Sequence, residues 1–234
     1  MKPRNDQILT VQEQYLRTHK SHHRQISFLR FFLLGIFLFL WEVSADLGWI
    51  DSFFFSSPHR VVLCLGELWR SRSLPLHIGI TLLETILSFL LVFLVSLLLS
   101  TLLWFSRHLS EILEPYLVLL NSLPKSALAP LFIVWLGTGI NTIIIAGISV
   151  AVFGSIISFY TAFHQVDPEK EILIRTLGGS RRDIFFKVVL PGSIPTLLST
   201  TKVNIGLSLV GVIIGEFLAA RRGLGYLIIY GSQV

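Results

Sequence analysis

The chain has 234 residues, of which 53% are hydrophobic and only 14% charged, with a formal net charge of +5 and a mean hydropathy of +0.72. Soluble domains carry about 25% charged residues, so this composition excludes an ordinary soluble domain and identifies an integral membrane protein. A single cysteine, Cys64, excludes an internal disulfide and a cysteine-rich metal site.

The first 25 residues form a polar, basic tail, and residues 26–234 form the membrane domain. Apolar runs at 27–47, 77–105, 116–136, 140–163 and 194–218 are each long enough to cross a hydrocarbon core of about 30 Å, which takes about 20 helical residues. They do not alternate apolar with polar as a membrane barrel would, so the fold class is all-α. The first run is too long for the core of a cleaved signal peptide and is expected to remain as an anchor. Lys2, Arg4, Arg17, Lys20, Arg24, Arg107 and the cluster Lys170, Arg175, Arg181, Arg182 and Lys187 place the N-terminus in the cytoplasm by the positive-inside rule. Arg221 and Arg222 pull the other way. The net charge thus reads as topology and contact with anionic lipid, and not as nucleic-acid binding.

The first span carries Phe31, Phe32, Phe37, Phe39 and Trp41 on every face and is expected to meet lipid. The second has Thr81, Thr85, Ser88, Ser96 and Ser100 at helical spacing, with Glu84 beside them. The fourth has Gly147, Ala151, Gly154, Ser158 and Ala162, and the fifth Asn204, Ser208, Gly211 and Gly215. Small residues at such intervals let helix backbones approach closely in a bilayer, so these three spans are expected to form the inner bundle.

The third span is interrupted by Pro124 and Pro130, each lacking a backbone donor. Such a break is tolerated at membrane depth only in protein or beside a watery cavity. Asn121, Ser122, Lys125 and Ser126 cluster at the first proline. A lysine there marks a pathway, a structural pair or snorkelling to the interface. Together with Asn204, Ser208 and Glu216, the residues Asn121, Pro124, Lys125 and Ser126 are the candidates for the translocation pathway.

Between the fourth and fifth spans lies a charged segment, 167–191. Asp167 suits an N-cap and Pro168 the first helical position, and Glu169 and Glu171 suit the positive end of the helix dipole. Gly178 and Gly179 stop this helix, Ser180 with Asp183 resembles a capping box opening another, and Pro191 is expected to close that second helix. The composition alone is compatible with an amphipathic helix lying on headgroups, or with a docking element for a soluble partner.

Gly178, nine residues, Val188, one residue, then Leu190 and Pro191 resemble the cytoplasmic loop signature of permease subunits of bacterial ABC importers. The similarity is greatest to the nitrate, sulfonate and taurine branch. Arg175 to Ser180, Ser57–Pro58, Leu123–Pro124, Ala129–Pro130, Val134 to Gly137, Gly215 to Phe217 and Gly223 to Tyr226 extend it over nearly everything from Trp41 onward. The family opens its signature with Glu-Ala-Ala, where this chain has Ile172, Leu173 and Ile174 with Glu171 one residue away. The family also has a further span after Gly-Leu-Gly-Tyr, whereas the residues from Tyr226 onward would cover only about 14 Å as helix.

This resemblance implies the type I importer permease fold, with the coupling loop at 164–191. It implies that Glu169, Glu171, Ile172, Arg175, Leu177, Gly178, Gly179, Arg181, Asp183, Leu190 and Pro191 engage a pair of ATPase subunits. It also implies a second permease copy, an extracytoplasmic substrate-binding protein and a bacterial inner-membrane location. The cargo would be a small anion of the nitrate, sulfonate or taurine type, or a vitamin precursor such as a thiamine pyrimidine. No Gly-x4-Gly-Lys-Ser/Thr phosphate loop occurs, so ATP and Mg are expected on the partner, with no cofactor on this non-catalytic chain. A secondary transporter would need a repeated half or a paired broken helix, and a structural membrane subunit is the remaining alternative. The histidines His19, His22 and His23 of the tail suit solvation better than a metal.

Overall fold

A computed structural model describes the backbone of residues 4–233; the side chains of residues 1–24, 52 and 53 lie outside the described residues, and with them the histidines and basic groups of the tail. All regular structure among the described residues is helical. The chain divides into two compact units, 1–71 and 72–234.

The first unit holds α1 (Arg4–Asp46), α2 (Ser52–Phe55) and α3 (Pro58–Arg70). α1 runs unbroken from the polar tail into the apolar stretch, whose phenylalanines and leucines are exposed on all faces. Ser57 caps α3, accepting from Arg60 N at 3.4 Å, and Pro58 opens it. The His59 N–H donates to Glu42 at 2.9 Å and so ties α3 to α1.

The second unit contains α4 (Ser73–Phe105), α5 (Arg107–Ser122), α6 (Lys125–Leu136), α7 (Ile140–His164), α8 (Pro168–Thr176), α9 (Arg181–Ile184), α10 (Leu190–Ala219) and α11 (Leu224–Gln233). Its centre is α4, α7 and α10, whose small and hydroxylated stripes turn toward one another: Thr81, Ser88, Ser96 and Ser100, Gly147 and Ala151, and Asn204, Ser208, Gly211 and Gly215 are all buried. Ser88 donates to Ile144 O at 3.3 Å and Ser96 to Val152 O at 3.4 Å, a constant offset that makes α4 and α7 parallel. Ser193 donates to Ala162 O at 3.1 Å and Asn204 to Ser155 at 2.9 Å; the α7 partner moves back along its helix as α10 advances, which makes α10 antiparallel to both. One end of the bundle therefore gathers the end of α7, α8, α9 and the start of α10. The other gathers the start of α4, the start of α7 and the α10–α11 turn.

The third span departs from expectation in shape. It is a helix pair, α5 and α6, bent by 98°. The bend falls at Leu123 and Pro124, with Pro124 extended at φ −68° and ψ 106°. Pro130 and Pro115 sit inside α6 and α5 without breaking them. A cation supports the bend: the Lys125 ammonium donates to Asn121 O at 3.0 Å and to Leu120 O, the carbonyls that the break strips of helical partners. The same ammonium sits 5.5 Å from the centre of the Phe153 ring. Asn121 lies against Gly154, which is midway along α7, so the break is at mid-depth of the bundle.

Pro191 corrects a second expectation. It does not close the helix begun at Arg181; helical structure continues from Arg181 to Ala219 over 39 residues. The reason is a π-turn at Phe185–Val189, in which Leu190 N–H bonds to Phe185 O. A proline ring in a regular α-helix collides with the carbonyl four residues earlier, and the wider turn makes room for it. At about 1.5 Å per residue the segment is about 58 Å long, nearly twice the hydrocarbon thickness of about 30 Å.

Candidate functional site: a capped helix and its buttress

At the α8 end of the bundle the chain builds a small lever. Asp167 caps α8 by accepting from Glu169 N at 3.0 Å, and Pro168 occupies the first turn. At the other end Gly178 adopts φ +82°. Its N–H bonds to Arg175 O at 3.0 Å, and the Gly179 N–H bonds to Ile174 O at 2.9 Å. This pair of bonds is the Schellman stop, which needs a left-handed residue after the last helical one. Ser180 and Asp183 then form the reciprocal capping box that opens α9, and Asp183 pairs with Lys187 at 2.8 Å.

The lever rests on an aromatic platform. Trp104, Phe159, Phe163, Ile184, Phe185, Val189 and Leu197 form a buried cluster, and Ile174 of α8, Val166 and Leu190 pack against it. Arg181 fixes the platform to the end of α4: its guanidinium donates to Trp104 O at 2.8 Å and lies 5.3 Å from the Trp104 ring centre. Arg181 is thus a fastening between α9 and α4. While Ile174 faces in, Ile172 (59% exposed), Leu173 (57%) and Leu177 (75%) face out. Glu169, Arg175 and Gly178 are exposed beside them, and Glu171 is half-buried. Leu190 is half-buried in the helix beneath, and Pro191 is exposed. The result is a short helix with an apolar outer face, clamped at both ends and supported from below.

The pathway candidates separate into two groups. Asn121, Pro124 and Ser126 are exposed at the bend, and Lys125 is half-buried there. Asn204, Ser208 and Glu216 are buried within the packing of α10 on α4 and α7. Glu216, fully buried, accepts from Thr81 O–H at 2.6 Å and from Gly225 N–H at 2.6 Å, while the Thr81 oxygen accepts from Leu224 N–H at 2.9 Å. The Gly223 N–H donates to His77 Nδ1 at 2.8 Å, and the His77 and Tyr226 rings stack at 6.0 Å. This node fastens the α10–α11 turn to α4. His77 and the Trp104–Phe185 platform were not singled out from sequence; His77, Thr81 and Glu84 at helical spacing carried the only available signal.

Thr81→Val, nearly the same shape, leaves Leu224 N–H and one oxygen of Glu216 without their partner. Each buried orphan costs about 1–3 kcal/mol, so thermal unfolding of the purified protein in detergent should shift down clearly. Thr81→Ser should stay close to the parent; equal melting of both variants would remove the node from the stability of the bundle.

The inner membrane component of binding-protein-dependent transport systems matches residues 92–233. The chain belongs to this family. Over 204 residues the permease is 31% identical to a "Probable ABC transporter permease protein" of Haemophilus influenzae, covering 86% of this chain and 81% of that one. It is 27% identical to a "Putative aliphatic sulfonates transport permease protein" of Bacillus subtilis, covering 86% and 73%, and a taurine permease of Escherichia coli falls in the same group. The sequence resemblance to the sulfonate and taurine branch is thereby borne out. Among solved structures, an amino acid ABC transporter chain superposes with a TM-score of 0.51 at 17% identity, covering 72% of this permease and 89% of that chain, which establishes the shared fold. The protein is a multi-pass permease of an ABC importer for a small solute, and not an enzyme.

Proposed function

We propose that this permease carries a small anion across the bacterial inner membrane, with α8 seated in a groove of a separate ATPase. The supporting observation is the outward apolar face of α8, formed by Ile172, Leu173 and Leu177 at the end of the membrane bundle. Apolar side chains on a rigid, capped helix outside the hydrocarbon are what a protein partner buries. The Ile-Leu-Ile run at the family's Glu-Ala-Ala positions shifts this docking from charge toward apolar contact. In this reading the N-terminus and the α8 end are cytoplasmic, and an extracytoplasmic binding protein delivers the solute to the opposite end.

The bend at Asn121 to Ser126 supports a second permease copy. Asn121, Ser122 and Ser126 lie at this mid-depth bend and are exposed in the single chain. Lipid is a poor neighbour for such a polar break, whereas protein or water suits it. The translocation path therefore runs along this bend at the interface between two copies. ATP and Mg are held by the ATPase pair, whose closure drives the bundles from inward-open to outward-open. Purification of the tagged permease from its native membrane should bring down an ATPase, and uptake into proteoliposomes should stop when ATP is withdrawn. A permease that comes down without an ATPase and transports on an ion gradient alone would overturn the reading.

A further inference from the structure

α3 is a helix of 13 residues, none of them buried. At about 1.5 Å per residue it is about 20 Å long, too short to cross a hydrocarbon core of about 30 Å. Its sequence nevertheless has two sides. Val61, Leu65, Leu68 and Trp69 recur at the spacing of one helical face, with Val62 beside them. His59, Arg60, Glu67 and Arg70 lie on the other side, where Leu63 is the apolar exception. Val61, Val62, Leu65 and Trp69 are all exposed, so the apolar face stands open among the described residues.

Level and charge both point to what covers it. The bond from His59 N–H to Glu42 ties the start of α3 to α1 four residues before that helix ends at Asp46. Phe37, Phe39 and Leu40 face outward on this part of α1, as a helix surrounded by lipid requires. Trp41 and Trp49 bracket its end, and tryptophan gathers where hydrocarbon meets headgroups. α3 thus begins at the edge of the bilayer. A short amphipathic helix placed there buries its apolar side among acyl chains by lying flat. On the polar side, neither Arg60 nor Arg70 forms an ion pair among the described residues. Unpaired guanidinium groups at headgroup level match the oxygens of lipid phosphates.

We propose that α3 is an interfacial helix that binds the bilayer surface. Val61, Val62, Leu65 and Trp69 enter the acyl boundary of the leaflet at the end of α1, and Arg60 and Arg70 hold lipid phosphates above it. Because α3 precedes α4 in the chain, it fixes the depth at which the anchor is joined to the rest of the permease. The proposal rests on the importer reading only for the leaflet, which is then the extracytoplasmic one. Lipid binding requires neither nucleotide nor ATPase, so the two ideas fail separately.

The test uses nitroxide labels on the full-length permease in phosphatidylglycerol–phosphatidylcholine nanodiscs, without nucleotide. Cys64 is the chain's single cysteine, so Cys64→Ser gives a background without thiols. Leu65→Cys and Glu67→Cys then place one label on each face of α3. Power saturation compares molecular oxygen, which concentrates in lipid, with a water-soluble nickel chelate. The ratio of oxygen to nickel accessibility at position 65 should exceed that at position 67 by about five-fold or more. Val62→Cys should repeat the result for position 65 and guards against a label that disturbs one site. Adding Arg60→Gln and Arg70→Gln should lower the ratio at position 65 by about two-fold or more. Free access of the nickel chelate to positions 62 and 65 would place the helix in water and overturn the proposal. Exclusion of both reagents from those positions would show protein on the apolar face, with the same consequence. A ratio at position 65 that ignores the arginine changes would overturn the binding of phosphates.

Discussion

Gly178→Val is expected to abolish ATP-driven uptake while leaving the permease inserted in the membrane at close to its normal level. Gly178 sits at φ +82° with open space where a Cβ would project, so the obstacle is the backbone and not a collision. A residue with a side chain loses about 1–2 kcal/mol in the left-handed region, and a β-branched one is least tolerant of it. The valine would be relieved by moving to a right-handed conformation, which breaks the bonds from Gly178 N–H to Arg175 O and from Gly179 N–H to Ile174 O. α8 would then run on past Leu177, and its outer face would turn relative to the platform. A Cβ at Gly178 meets nothing within 4 Å, so the packing of α4, α7 and α10 is not struck by the new side chain and folding should survive. We expect uptake in proteoliposomes containing the ATPase to fall at least ten-fold, with the permease present at more than half the parental level. Unchanged uptake would show that the glycine stop does not transmit force.

Much of this lever was readable from residues alone because its ends are set by local chemistry. Asp167 and Pro168 specify a start, Gly178 and Gly179 a stop, and Ser180 with Asp183 a second start, all within a few residues of the bonds they make. The inner bundle was also legible, since small side chains at helical spacing in an apolar run have one common use. What was hidden depends on contacts between distant segments. The continuation through Pro191 requires a π-turn, and no local pattern distinguishes FFKVV from an ordinary helical run. The partnership of Arg181 with Trp104 spans 77 positions, and that of Thr81 with Glu216 spans 135. The lysine at the bend shows a subtler limit. Pathway, pair and snorkelling were all open for Lys125 until the two carbonyls that it caps came into view.

Gly211→Val should be the most damaging single change in the bundle. A Cβ at this position would stand 2.8 Å from Ala146 O, 2.8 Å from the Gly147 Cα and 2.9 Å from a Val150 methyl. The first two are backbone atoms of α7 and cannot swing aside, so α10 must move away from α7. Gly147, in turn, is pressed between Ser88 of α4 and Val212 of α10, so separation of one pair loosens the third helix. In a bilayer the loss is not offset by water leaving apolar surface; close packing is itself the adhesive. Overpacking costs about 1–3 kcal/mol, and a contact shared by three helices belongs at the upper end or beyond. Gly206 provides the control, because it lies on the same helix with open space around it; Gly206→Ala should melt no lower than the parent, since alanine favours helix over glycine by about 1 kcal/mol. Thermal unfolding of detergent-purified protein compares the two. If Gly211→Val melted with the parent, α7 and α10 could not be as close in the membrane as their glycines place them, and the three-helix core would lose its basis.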